Sequence, residues 1–67
     1  MILRFKTKNN RNGNRTYLAI DTEKKVFCRH SPKMIMEGVE VTATAIREIK
    51  NECLCECYKE VDYKEAF

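Results

Sequence analysis

TYLAIDTEKKVFCRH, residues 16–30, decides the fold, because it reads as two short strands whose connecting turn sets which side chains share a face. Residues 16–20 alternate in polarity with the period of two expected of a half-buried strand. Asp21 suits the first position of a type I turn, with Lys24 taking the left-handed position that closes a three-residue loop. Asp21 then pairs with Lys25, Ile20 faces Val26 and Leu18 faces Cys28. A one-residue slip of the third strand would exchange Phe27 for Val26 and Cys28 on the inner face.

Towards the N-terminus, ILRFKT (2–7) alternates apolar and basic residues, the pattern of another strand. NNRNGN (9–14) lies between them, and its Asn12-Gly13 pair supplies the positive-φ tolerance that a hairpin turn needs. Alternation across the pleat then predicts an inward face of Leu3, Phe5, Leu18, Ile20, Val26 and Cys28, with His30 at its margin. The opposite face collects Arg4, Lys6, Lys8, Arg15, Tyr17, Lys25, Phe27 and Arg29.

Towards the C-terminus, HSPKMIMEG (30–38) reads as a connection, with one helical turn after Ser31-Pro32 that lays Met34, Ile35 and Met36 over an end of the core. Thr42 is a good helix N-cap, and Val41 and Ile46 flank it at the spacing of a hydrophobic staple. Ile46, Ile49, Cys53 and Cys57 recur every three or four residues and draw one stripe along that helix. The helix is expected to end near Cys57, followed by a short edge strand in YKEVDY (58–63), although Val61 would also prolong the stripe. The predicted fold is α+β: a three-stranded antiparallel meander with one C-terminal helix packed on the apolar sheet face and a short terminal strand. All of residues 1–67 form a single small domain.

Charge is distributed unevenly along the chain. The 67 residues carry a net +3, but residues 1–36 hold nine Lys/Arg against Asp21 and Glu23, and residues 37–67 hold four against eight acids. The first half is thus electropositive, unless the two halves neutralise each other on folding. With 43% hydrophobic and 34% charged residues the chain has the composition of a folded domain, near the lower size for a self-sufficient core. Arg4 interrupts the first apolar run and no stretch is long enough to span a bilayer, so a cytoplasmic location and no membrane partner are expected. In that compartment the four cysteines are free thiols or metal ligands.

NECLCECYKE (51–60) places Cys53, Cys55 and Cys57 at alternate positions. On a helix Cys53 and Cys57 share the stripe and Cys55 points away, so the three cannot surround one ion. A tetrahedral alternative uses Cys28 and His30 on the sheet with Cys53 and Cys57 above them. That spacing resembles no usual zinc pattern, and core packing is the preferred role of these thiols. No metal and no cofactor is expected. Catalysis is not expected either: His30 is the sole histidine, and no orienting group or oxyanion donor accompanies Cys28 and His30.

The basic strand face carries the functional expectation. Arg4, Lys6, Lys8, Arg15 and Arg29 at alternate positions suit successive phosphates, with Tyr17 and Phe27 available to stack on a base or touch a sugar. The expected meander-plus-helix layout resembles the small sheet-reading domains at the ends of some phage-type integrases, a resemblance of architecture that implies nucleic acid as partner and assigns no residues. The expected function is non-catalytic binding of nucleic acid. The alternative is a protein-interaction module that uses edge strands or the acidic C-terminal half to bind another protein or a second copy.

Overall fold

The computed structural model describes residues 1–8, 15–29 and 37–66. The protein is an α+β domain built on a five-stranded mixed sheet with one main helix. Strands β1 (Ile2–Thr7), β2 (Tyr17–Asp21) and β3 (Val26–Arg29) form the expected antiparallel meander. Two strands flank it: β4 (Val39–Val41) has no counterpart in the expected fold, whereas β5 (Lys59–Glu60) lies within the short terminal strand expected in 58–63. β4 adds to β1 in parallel, and β5 adds to β3 in parallel, giving the order β4-β1-β2-β3-β5. Helix α1 (Ala43–Cys55) connects the two outermost strands, and the four-residue helix α2 (Tyr63–Ala66) closes the described chain. The anticipated NNRNGN turn and the helical turn after Ser31-Pro32 lie outside the described residues.

The meander has a different register from the one expected. Asp21 pairs with Val26, Ile20 with Phe27, Ala19 with Cys28 and Leu18 with Arg29. The cause is the turn, which spans four residues, 22–25, and puts Lys25 at φ 55. Asp21 organises it: its Oδ1 accepts the amides of Glu23 at 3.0 Å and Lys24 at 3.1 Å. Lys24 is therefore not the left-handed residue, and the extra loop position slips β3 by one. A slip of one exchanges every side chain of a strand between faces. Phe27 enters the core instead of Val26 and Cys28, and Arg29 leaves the basic face.

The resulting core lies between the sheet and α1. Leu18, Ile20, Phe27, Ile46 and Cys53 form it, with Phe5, Val41, Ile49 and Tyr58 packed around them. On the other side Ala19 and Cys28 are fully buried, with the rings of Tyr17 and Tyr63 against them.

Thr42 caps α1 as its sequence context implies, accepting the Ala45 amide on Oγ1 at 3.1 Å, which satisfies one of the orphan donors of the first turn. At the other end Tyr58 N donates to Cys53 O at 2.8 Å and Cys57 N to Leu54 O at 3.2 Å. This is a Schellman termination, whose left-handed position usually holds glycine. Cys57 fills it at φ 66. Cys57 is thus off the helical stripe and exposed, because its side chain follows the reversed backbone. The chain then turns into β5, which is shorter than the expected 58–63 strand, and Tyr63–Ala66 is helical.

Gly38 explains how β4 reaches β1. A Cβ there would meet Phe5 N at 3.0 Å and the Arg4 carbonyl carbon at 3.1 Å. A larger residue would push the β1 backbone away by a few tenths of an ångström, so glycine suits the close approach at this edge.

Candidate functional site

The sequence-predicted basic residues divide between the two faces of the sheet. Arg4, Lys6, Arg15 and Tyr17 lie on the face opposite α1, since Arg4 pairs with Ala19 and Lys6 with Tyr17. Lys8 is exposed one step beyond β1, where its amide donates to Val41 O at 3.0 Å. Lys6, Lys8, Arg15 and Tyr17 lie where β1 ends and β2 begins, and Arg4 stands mid-strand beside Ala19. The Nε–H of Arg4 is buried and has no acceptor among the described residues.

Phe27 and Arg29 do not join them. Phe27 is fully buried under α1 and cannot stack on a base. Arg29 projects on the α1 side, where its Nε donates to Glu60 Oε1 at 2.9 Å. Arg15 also has an internal acid, donating from Nη1 to Glu40 Oε1 at 2.6 Å. Both pairs join a cation of the first half of the sequence to an acid of an edge strand, β4 or β5. Part of the charge asymmetry is consumed inside the fold.

Glu40 shows the electrostatic consequence. The Arg15 hydrogen bond and then the Arg15 charge hold its carboxyl below the usual carboxylate range, against its own desolvation and with help from Lys6 and Lys8. The carboxylate therefore sits in the positive field of at least three cations and neutralises one of them.

A second cationic group lines a groove on the α1 side of the same sheet end. Arg29, Arg47 and Lys50 line it with Thr7, Thr16 and the first turn of α1, around a cavity of about 300 Å³. Thr7 and Thr16 are bound to each other: Thr16 N donates to Thr7 Oγ1 at 2.9 Å, and Thr7 N to Thr16 O at 3.0 Å. Glu60 lies outside this lining, holding Arg29 and standing 3.9 Å from Lys50 Nζ. Alternation along the strands points to neither Arg47 nor Lys50. The missed signal is their spacing of three, which puts them in one row flanking the Ile46/Ile49 stripe.

The cysteines do not converge. Cys28 and Cys53 are buried on opposite faces of the sheet, Cys55 and Cys57 are exposed, and His30 lies outside the described residues. The slipped register thus separates the proposed Cys28, His30, Cys53 and Cys57 ligand set. No group of three metal-ligating side chains occurs among the described residues. Burial, and then the charges of Glu56 and Glu52, push the Cys53 thiol up, so it stays protonated and packs as an apolar group.

No helix among the described residues is long and apolar enough to cross a membrane. No known family, curated protein or solved structure matches the chain.

Proposed function

We propose that the protein binds nucleic acid through its phosphate backbone, using Arg4, Lys6, Lys8 and Arg15 as phosphate partners and Tyr17 as a stacking or sugar contact. The supporting observation is the placement of Arg4, Lys6 and Arg15 on the sheet face opposite α1, with Lys6, Lys8 and Arg15 at the junction of β1 and β2. Phosphate contacts need positive charge at the surface and little else in the way of specific geometry. Tyr17, half-buried beside Lys6, offers part of its ring at the same place.

Salt dependence tests this reading. On duplex DNA, three to four neutralised phosphates give a log–log slope of affinity on salt of roughly −2.7 to −3.6. Replacing Lys6 and Lys8 together by Ala lowers the slope by about two units while circular dichroism shows an unchanged fold. Glu40→Gln is expected to strengthen binding by removing a negative charge from beside Arg15, Lys6 and Lys8. Absence of binding at low ionic strength, measured by fluorescence anisotropy on folded protein, would refute the proposal.

A second reading has its own observation. β4 pairs only with Phe5–Thr7, so the Ile2–Arg4 half of β1 has no strand on that side among the described residues. Met1, Ile2, Leu3 and Val39 are exposed around it, at 74%, 38%, 37% and 64%. An extended segment of another protein or a second copy could add there. Such association would survive high salt, which separates it from phosphate binding.

A further inference from the structure

A second groove lies on the α1 side of the sheet, beside the 22–25 turn. Leu3, Phe5, Ile49 and Tyr58 supply its apolar walls, and Glu52 and Glu56, both exposed, line its mouth around a volume of about 230 Å³. We infer that this groove docks a partner protein, taking from it an apolar side chain flanked by a lysine or arginine that pairs with Glu52 and Glu56. The inference requires neither the cations of the phosphate-binding surface nor the edge of β1.

The groove is apolar and open to water. Leu3 is 37% exposed, and Phe5, Ile49 and Tyr58 are half-buried around it. Met1, 74% exposed, is held next to it by Thr22, a groove residue whose Oγ1 donates to the Met1 carbonyl at 3.0 Å. A methionine there supplies an adaptable apolar margin. Pockets that enclose a small ligand are usually about 300–1,000 Å³ and cover most of its surface. A shallower one with its mouth in water fits a single side chain that arrives on a larger surface, as the anchor residues of protein interfaces do.

The charge at the mouth defines what flanks that side chain. Glu52 and Glu56 stand one turn apart on the same side of α1. The last turn of α1 holds no basic residue, and the helix C-terminus adds partial negative charge of its own, which favours cations. Glu40 and Glu60 are each paired with an arginine, whereas neither Glu52 nor Glu56 forms an ion pair among the described residues. Lys25 lies 5.9 Å from the centroid of the Tyr58 ring and pairs with neither. The field of the two carboxylates reaches the groove wall, where burial and then their charges push up the Cys53 thiol. The free chain therefore carries an uncompensated local charge that a cation at the mouth neutralises. The chain as a whole is +3, so a cationic partner is drawn to this local site and not to the net charge.

Fluorescence anisotropy with three short labelled peptides of equal length tests the inference. The first carries leucine and phenylalanine one helical turn apart with lysines beside them; the second replaces those lysines by glutamate; the third replaces the leucine and phenylalanine by serine. The first is expected to bind, and the other two to bind at least about tenfold more weakly. Replacing Glu52 and Glu56 together by Gln should weaken the first peptide by about fivefold and narrow its advantage over the glutamate peptide, as the loss of two exposed ion pairs would. Thermal melting of that variant should match or exceed wild type, because the last turn of α1 loses its like charges. Leu3→Ser should weaken the first peptide about tenfold with an unchanged circular dichroism spectrum. Lys6→Ala with Lys8→Ala should leave it unchanged, which keeps the result separate from the nucleic-acid reading. The inference is overturned if the folded protein binds none of the peptides, if the lysine and glutamate peptides bind alike, or if the Glu52 and Glu56 variant binds the lysine peptide as wild type does. A lower melting temperature in that variant would show that the carboxylates serve the fold, and would overturn it too.

Discussion

The two faces of the sheet bury their centres by different means. Beneath α1 the contact is made by large side chains, Leu18, Ile20 and Phe27, meeting Ile46 and Cys53. On the opposite face the buried residues are small, Ala19 and Cys28, lying against Tyr17 and Tyr63. A helix held about 10 Å from a sheet needs bulky residues to fill the gap, whereas a tyrosine ring laid on the pleat needs small ones beneath it. The difference shows that this sheet is not apolar on one side and solvated on the other. Its centre is buried on both sides.

The sharpest way to break the comparison is to remove the large partner. Phe27→Ala is expected to destabilise by about 3–5 kcal/mol, enough to unfold a domain of this size, because it opens a cavity in the main core. Val26→Ala, one residue away on the other face, is expected to cost about 1 kcal/mol or less, and Tyr63→Ala about 1–2 kcal/mol. Urea denaturation ranks them. A Val26 variant more damaging than the Phe27 variant would return β3 to the register first inferred from the sequence.

Smaller effects sharpen it further at the strained backbone positions. Cys57→Gly should stabilise by roughly 0.5–1 kcal/mol, since glycine takes the left-handed conformation without the Cβ clash that costs about 1–2 kcal/mol, less the extra entropy of the unfolded chain. Lys25→Gly should gain less, because the Lys25 ammonium also lies 5.9 Å from the Tyr58 ring centroid and that contact is lost. Loss of stability in the Cys57 variant would mean that its side chain makes a contact worth more than the strain.

The smallest expected effect is on pH. The Lys24 amide, with lesser help from the Glu23 amide and nearby positive charges, holds Asp21 below the usual carboxylate range, as Arg15 does for Glu40. A carboxylate whose pKa is lower folded than unfolded contributes stability that is complete above its unfolded pKa and lost as pH falls through its folded pKa. The melting temperature should therefore be flat down to about pH 5 and decline below about pH 4. Asp21→Asn and Glu40→Gln should each flatten part of that decline, with added salt mimicking the second change more than the first.

The local elements were legible in the sequence and the long-range ones were not. Period-two alternation marks the three meander strands, and Thr42 with Val41 and Ile46 marks the start of α1, because those signals act between neighbouring residues. The turn length was not legible. Lys24 and Lys25 are equally poor left-handed residues, so sequence chemistry does not choose between loops of three and four, and that one step moved Phe27, Cys28 and Arg29 to the wrong faces. β4 carries almost no signal in three residues, VEV, and its parallel pairing with β1 depends on a partner more than thirty positions away. For the candidate site, Arg4, Lys6, Lys8, Arg15 and Tyr17 were found by alternation. Arg47 and Lys50 were not, since only the packed helix brings them to the end of the strands.

The connection of β4 through α1 to β5 also governs how the domain comes apart. The two margins of the sheet are the two ends of one continuous segment, Val39–Glu60, so neither can peel away without loosening the helix that crosses the core. Hydrogen exchange at the Val41 and Val61 ends of that segment should consequently be correlated, as a single opening unit, while the β1–β2–β3 meander exchanges later. The same linkage protects against assembly by mistake. A strand of two or three residues tied to a packed helix is a poor template for another chain, and the molecule keeps both borders short by making them depend on each other.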